Sequence, residues 1–120
     1  MVKLADAEWN IMNLLWDKGS LTTMEIIREM EDSKGWSKST TMTLLRRMSS
    51  KGSINFQIDN KTKKYYPSLD RNEAEVEEAR FFLNKHYNGK IGSMVSNLIS
   101  QEALSKEEID ELYNILRGGK

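Results

Sequence analysis

Residues Ser37 to Ser68 read SKSTTMTLLRRMSSKGSINFQIDNKTKKYYPS, and this stretch decides the fold. Ser37 is a hydroxyl suited to cap a helix, with Trp36 before it as a hydrophobic staple. From there to about Lys51, Thr41, Leu44, Leu45 and Met48 recur at helical spacing on one face. Ser39, Thr40, Thr43, Arg46, Arg47 and Ser50 lie on the other faces, and Gly52 ends the helix. The period then changes. Ile54 to Ile58 and Lys63 to Ser68 are rich in β-branched or aromatic residues. The polar link Asp59-Asn60-Lys61-Thr62 joins them, the pattern of a β-hairpin. Pro67 sits near the end of the second strand, where a missing N–H does least harm.

Two helices precede this unit. Asp6 to Lys18 carries Trp9, Met12, Leu15 and Trp16 at helical spacing and ends at Gly19. Trp9 and Trp16 read as core rather than as ligand-stacking side chains. Thr22-Thr23-Met24-Glu25 is a capping box that opens a second helix with Ile26, Ile27 and Met30 inside, fading near Asp32. Three short helices followed by a hairpin is the order of a winged helix-turn-helix, in which the third helix enters the major groove of DNA.

Beyond Arg71 the chain is helical again. The acidic run Glu73 to Glu78 suits a helix start and lacks the spacing of a calcium loop. Val76, Ala79, Phe82, Leu83 and Tyr87 follow, and Asn88-Gly89 breaks the helix. Ile91, Met94, Val95, Leu98 and Ile99 mark a fifth helix. Ser105 and Glu108 form a second capping box before Ile109, Leu112, Ile115 and Leu116, and a Gly-Gly-Lys tail closes the chain. These stripes can close a monomeric core or be buried against a second copy. A small bundle set apart from the first domain favours the second copy. The expected fold class is therefore mostly α with a small β-hairpin wing: a winged-helix domain over 1–70 and a three-helix dimerisation arm over 71–120.

A chain of 120 residues fits that plan. Its formal net charge is zero, but the charge is unevenly spread. From Lys34 to Lys64 eight bases stand against one acid, Asp59, while the rest holds ten bases and seventeen acids. A basic segment between acidic ones is a footprint for phosphate contact. The expected DNA-binding residues are Ser37, Lys38, Ser39, Thr40, Met42, Thr43, Arg46 and Arg47 on the third helix, with Lys61, Lys63 and Lys64 on the wing. Small hydroxyls approach base edges without bulk, and paired guanidinium donors read guanine or clamp phosphate.

Several chemistries are excluded. With no cysteine there are no disulfides or thiolate ligands, and a single histidine, His86, forms no metal cluster. No cofactor or metal is expected, and His86 reads as an ordinary surface or interface side chain. No P-loop or dinucleotide glycine motif occurs, and any nucleophile–His–acid arrangement would have to use His86, so the chain is not read as an enzyme. No apolar run approaches a bilayer span and Met1 to Asp6 lacks a signal-peptide core, so the expected location is the cytoplasm and Asn60-Lys61-Thr62 is not a glycosylation site. A winged helix used only for protein contact is the remaining alternative. It would not bind duplex DNA, whereas a repressor's binding would weaken steeply as salt rises.

At this level of detail the sequence resembles the penicillinase-repressor (BlaI/MecI) family. Ala7-Glu8-Trp9 with Met12 and Trp16, Ser39-Thr40 through Thr43-Leu44-Leu45 with Arg47, Phe82-Leu83-Asn84-Lys85 with Tyr87, Gly89, Val95 and Asn97, and Glu107-Glu108-Ile109 through Ile115-Leu116 carry the similarity. The resemblance implies a homodimer on a palindromic operator, controlling β-lactam resistance genes. Its arm would pair through Phe82, Leu83, Tyr87, Ile91, Met94, Val95, Leu98, Ile109, Leu112, Ile115 and Leu116. It also implies relief by a membrane sensor protease that cuts an Asn–Phe type bond, matched here by Asn97–Leu98, with Leu in place of Phe. Met42 stands where the family is often basic, and Arg46 supplies a base where relatives often carry Thr or Asn. A related repressor of another regulon, with a different inducing signal, is the alternative. Copper-responsive relatives carry a C-terminal cysteine cluster that this chain lacks.

Overall fold

The computed structural model describes residues 3–118, so the end of the Gly-Gly-Lys tail lies outside the described residues. The elements run α1 (Asp6–Lys18), β1 (Leu21–Thr22), α2 (Thr23–Lys34), α3 (Lys38–Lys51), β2 (Ile54–Asp59), β3 (Thr62–Pro67), α4 (Arg71–Tyr87), α5 (Ile91–Ser100) and α6 (Lys106–Leu116). They divide into two compact units between Glu75 and Val76, inside α4.

Local chemistry sets most of the boundaries. The Thr22 hydroxyl accepts from Glu25 N–H at 3.2 Å, and the Glu25 carboxylate accepts from Thr22 N–H at 2.8 Å, so α2 opens on a reciprocal cap. α2 continues to Lys34, two residues past the expected fade, because Gly35 caps it in the left-handed conformation. The Ser37 hydroxyl accepts from Thr40 N–H at 3.2 Å and opens α3, as the sequence indicates. At the far end Gly52, at φ 86°, sends its N–H to the Met48 carbonyl, which turns the chain directly into β2. The residue there must tolerate positive φ, which glycine does without steric cost.

The hairpin is tighter than the four-residue link suggests. Asp59 pairs with Thr62, leaving Asn60 and Lys61 as a two-residue turn with φ of 49° and 66°. Both values are positive, the hand that matches strand twist in a short hairpin. A third strand escaped the sequence reading. Leu21–Thr22 pairs antiparallel with β3, at Leu21 to Tyr65 and Thr22 to Lys64, giving the sheet order β1-β3-β2. Two residues are too few to show a period, and this strand exists only because β3 lies beside it.

One core closes the first unit. Ile11, Met12 and Leu15 of α1, Ile26 and Met30 of α2, Leu44, Leu45 and Met48 of α3, and Ile54 and Tyr65 of the hairpin pack with Leu4. Each fully buried aliphatic side chain contributes about 1.5–3 kcal/mol relative to its exposed state. Trp9 and Trp16 lie at its rim with ring centroids 5.9 Å apart, which is the packing role expected of them. Trp16 Nε1–H also donates to the Leu69 carbonyl at 2.9 Å, tying α1 to the segment that leaves the sheet. Arg71 continues that tie. Its guanidinium pairs with Asp17 at 2.9 Å and sits 5.5 Å from the Trp16 ring, so the first turn of α4 is held on α1.

One acidic residue is buried in this otherwise apolar unit. Glu8 is fully buried. Its carboxylate accepts from Ala5 N–H at 2.7 Å and from Lys51 Nζ at 2.8 and 3.1 Å. A buried carboxylate is tolerable only when paired and hydrogen-bonded, and here the pair joins the start of α1 to the last residue of α3.

The second unit has a different character. Among its described residues Leu83 is the buried large apolar side chain, whereas Val76, Phe81, Phe82, Ile91, Ile99, Ile109, Tyr113, Ile115 and Leu116 are exposed, the last by 84%. Local bonds shape it. Gly89 N–H reaches the Leu83 carbonyl at 2.9 Å, and Ser105 and Glu108 make the reciprocal cap of α6. The apolar stripes of α4, α5 and α6 therefore do not close a core within one chain.

Glu8→Ala is expected to lower stability by about 2 kcal/mol, since it strips Ala5 N–H of its acceptor and leaves Lys51 to turn toward water. An unchanged urea midpoint would remove the pair from the stability argument. The Thr41 hydroxyl is buried without a partner. Thr41→Val is therefore expected to be neutral or stabilising, by up to about 1 kcal/mol in the same assay, because it deletes an unsatisfied polar group. A clear loss of stability would show that the hydroxyl has a partner in solution.

Candidate nucleic-acid interface

α3 buries Thr41, Leu44, Leu45 and Met48, and this fixes what the helix shows to the outside. Residues 39, 43, 46 and 50 recur at i, i+4, i+7 and i+11 on the opposite side, and all four are exposed. Ser39, Thr43 and Arg46 thus form one outward stripe, with Ser50 below them. Arg47 and Thr40 flank it on one side and half-buried Met42 on the other. Lys38 is exposed in the first turn. Ser37 differs from its neighbours, because its hydroxyl is already engaged with Thr40 N–H, Thr40 Oγ1 and Ser39 Oγ. Its part is to organise the helix start.

Beside the stripe runs an open groove of about 360 Å³ lined by Ala7, Trp36, Ser39, Thr40, Thr43, Leu44 and Arg47. Ala7 and Trp36 were outside the set expected from sequence. Trp36 stands in the turn just before α3, whereas Ala7 belongs to α1, and only the packing of α1 against α3 brings Ala7 beside Arg47.

Of the bases in the Lys34–Lys64 run, Lys51 is withdrawn from the surface array by Glu8. A signal for this exists in the sequence. Glu8, Met12 and Leu15 share one helical face, so an acid stands in an apolar stripe and needs a buried partner.

The wing lysines do not form one cluster. Strand alternation puts Lys63 on the face that carries Ile54, Phe56 and Tyr65, and Lys64 on the face that carries Gln57 and Tyr66. The Lys63 ammonium folds back over the Phe56 ring, 4.5 Å from its centroid. Lys64 lies across from Thr22 and beside a recess lined by Gly19, Ser20, Gln57 and Tyr66. There it faces the start of α2. The two hydrogen bonds from Thr22 hold the Glu25 carboxyl below its ordinary range, and Lys64 adds electrostatic attraction. Lys61 alone stands at the apex of the turn, exposed and at positive φ. The structure thus brings the α3 residues together on one face and splits the three wing lysines among the apex and the two faces of the hairpin.

The arm residues also fall into place by element. Phe82, Leu83 and Tyr87 are on α4, Ile91, Met94, Val95 and Leu98 on α5, and Ile109, Leu112, Ile115 and Leu116 on α6. Asn97 lies inside α5, where its carbonyl accepts from Gln101 N–H and its side-chain amide faces the Tyr87 hydroxyl at 3.4 Å. Among the described residues no group of three or more His, Cys, Asp or Glu side chains is arranged to hold a metal ion. Among the same described residues no helix is long and apolar enough to cross a membrane.

Comparison with known proteins agrees with this geometry. The chain is 36% identical over 118 residues to the penicillinase repressor of Bacillus licheniformis, covering 98% of this chain and 92% of that one. It is 38% identical over 114 residues to the methicillin resistance regulatory protein MecI of Staphylococcus aureus, covering 95% and 93%. Among solved structures, the DNA-binding domain of the repressor BlaI superposes with a TM-score of 0.55 at 31% identity, over 59% of this chain and 87% of that one. The monomeric form of Bacillus licheniformis BlaI in complex with the blaP half-operator gives 0.55 at 30% identity, over 60% and 88%. The sequence profile of the penicillinase repressors matches residues 4–118, and the chain belongs to the penicillinase repressor family.

Proposed function

We infer that this chain is a DNA-binding transcriptional repressor of resistance genes, acting as a dimer on a palindromic operator. The observation that carries the reading is the outward stripe of α3. Small hydroxyls at Ser39 and Thr43 lie about two turns and one turn before Arg46 and Arg47, on a helix whose opposite face is fixed by the core. Such a surface fits the major groove, where guanidinium donors pair with guanine O6 and N7 and hydroxyls bond to either base type. The resemblance to a repressor solved on its half-operator supports the same placement.

Division of labour follows the chemistry of the two segments. The first seventy residues would hold the DNA, and residues 71–120 would hold the second copy. The arm supports this reading, since its apolar stripes lack a core within one chain. Two linked half-sites raise affinity through effective concentration, so pairing and operator binding rise and fall together. Cleavage of Asn97–Leu98 by a membrane sensor protease would break that link in the cytoplasm. Because the bond lies within α5, cleavage would require the helix to unwind first. The resemblance implies that Met42 and Arg46 depart from the usual family residues on the face that would read bases, which favours an operator of altered sequence.

Selection of bound fragments from random-sequence DNA by the intact protein tests the reading directly. It is expected to return a palindrome whose half-sites are about one helical turn apart, or a multiple of it. Recovery of no motif would overturn it. On that duplex Arg46→Ala and Arg47→Ala are each expected to weaken binding by about 1–3 kcal/mol if bidentate to a base. Lys51→Ala is expected to leave the salt slope unchanged, because its charge is already held by Glu8. Fluorescence anisotropy across a salt series reads all three. Truncation after Ser96 is expected to abolish the dimer and weaken operator binding together, by about 10²-fold or more. A truncated chain that sediments as a dimer would take the arm out of the mechanism.

A further inference from the structure

Domains are ordinarily joined by exposed, loosely held linkers, so relative motion is the default. Between the sheet and the arm this chain has no such linker. β3 ends at Pro67 and α4 starts at Arg71, and each residue between them is engaged. Ser68 N–H donates to the Ser53 carbonyl at 2.9 Å, the Leu69 carbonyl accepts from Trp16 Nε1–H at 2.9 Å, and the Asp70 carboxylate caps α4 by accepting from Glu73 N–H at 3.1 Å. Leu69 also packs against the core of the first unit, and Ala74, in the first turn of the helix, is buried. α4 then runs without interruption through Glu75 and Val76, where the first unit ends and the second begins.

Arg71 holds the root of that helix. Asn13, Trp16 and Asp17 share one face toward the end of α1, and the guanidinium meets all three. Nη1 donates to Asp17 at 2.9 Å, Nη2 donates to Asn13 at 3.4 Å, Nε lies 3.6 Å from the Glu75 carboxylate, and the plane stands 5.5 Å from the Trp16 ring centroid. Every guanidinium nitrogen thus has a partner, and the whole side chain is committed to joining α4 to α1. A lysine, with its charge at one point, could not make these contacts together. The pairs with Asp17 and Glu75 are exposed, so they add little to the stability of the fold. What they constrain is direction. α4 has 17 residues and is about 25 Å long, so a tilt of about 15° at its root swings the far end by about 6–7 Å, or roughly two base-pair steps.

We propose that Arg71 is a positioning residue that sets the spacing of half-sites: by clasping the root of α4 to α1, it fixes the direction in which the arm leaves the DNA-binding unit and restricts the paired chain to a narrow range of operators. This rests on the reading of the chain as a dimer on a palindrome. DNA is helical, so each base pair inserted between half-sites both displaces the second site and rotates it by about 35°. Two reading units on loosely held arms follow such a change. Two units on clasped arms do not, and they select one centre-to-centre distance. The selection needs no contact between Arg71 and DNA.

The test uses the full-length protein on duplexes that carry two copies of the selected half-site, at centre-to-centre distances varied in single base-pair steps, and on a duplex with one half-site. Wild-type protein is expected to bind best at one distance and to lose about tenfold in affinity when two pairs are inserted. Arg71→Ala is expected to keep the wild-type affinity for the single half-site and the wild-type sedimentation of a dimer, while its loss on the same insertion falls to about threefold or less. Arg71→Lys is expected to follow the alanine variant, because the planar fork is what both remove. Asp17→Ala is expected to relax the spacing profile as well, and the double variant with Arg71→Ala no further than Arg71→Ala alone. An Arg71→Ala chain whose affinity falls with spacing as steeply as the wild type's overturns the inference and leaves the repressor reading standing. So does a wild-type chain that binds the palindrome alike at every distance. Loss of single half-site affinity in Arg71→Ala would place the residue in the reading surface, and loss of the dimer would place it in the pairing surface; either overturns the inference. A wild-type chain that binds two half-sites no better than one removes the dimer reading and the inference together.

Discussion

The burial of one face of α3 is the constraint on which the interface depends. Thr41, Leu44, Leu45 and Met48 must leave water, and with 3.6 residues per turn this sends Ser39, Thr43, Arg46 and Ser50 the other way. Both ends of the helix are then fixed by separate chemistry. The Ser37 hydroxyl terminates the start, and the Glu8–Lys51 pair holds the last turn against α1. A helix gripped on its apolar face and at both ends has little freedom to roll. Rotation by one residue position would replace Arg46 on the outward stripe with a neighbour, so the stiffness of the packing is what keeps the reading surface in register.

The distribution of charge is finer than the basic run in the sequence suggests. A net charge of zero conceals an excess of bases between Lys34 and Lys64, yet the folded chain does not use them alike. Lys51 neutralises a buried carboxylate. Lys64 stands beside the start of α2, where Glu25 is held ionised by the Thr22 cap and by Lys64 itself. Lys63 rests on Phe56. Lys34, Lys38, Arg46, Arg47 and Lys61 are left with outward positions, one at the end of α2, three on α3 and one on the apex of the wing. A few well-placed bases separated by small hydroxyls favour base contact. A dense lysine patch would favour phosphate attraction without sequence preference.

The arm shows the opposite economy. Asp70 and Ser105 cap the starts of α4 and α6, while α5 starts at Lys90 without a side-chain cap, and the apolar stripes of all three have little to pack against within one chain. Helices of ten or eleven residues are marginal in water by themselves, so under the proposed pairing such an arm would gain its order from association. Under the proposed pairing, the stability of the arm and the affinity for a palindrome become one quantity. A cut at Asn97–Leu98 would then act on DNA binding from a distance, through loss of the second half-site.

Helix positions, caps and the hairpin were legible in the sequence because each has a local cause. The periodicity of apolar residues, the Ser and Thr caps and the turn residues act within a few positions of themselves. The outward set on α3 was legible for the same reason. What no local pattern carries was decided by the tertiary structure. The strand Leu21–Thr22 exists because β3 lies beside it, and Lys51 is lost to the surface because Glu8 comes to it from a residue 43 positions away. The recess bounded by Ala7, Trp36 and Arg47 and the withdrawal of Lys63 onto Phe56 belong to the same class. The sequence determined which residues are bases and which faces are apolar. Packing between distant elements determined which of those bases are already paired.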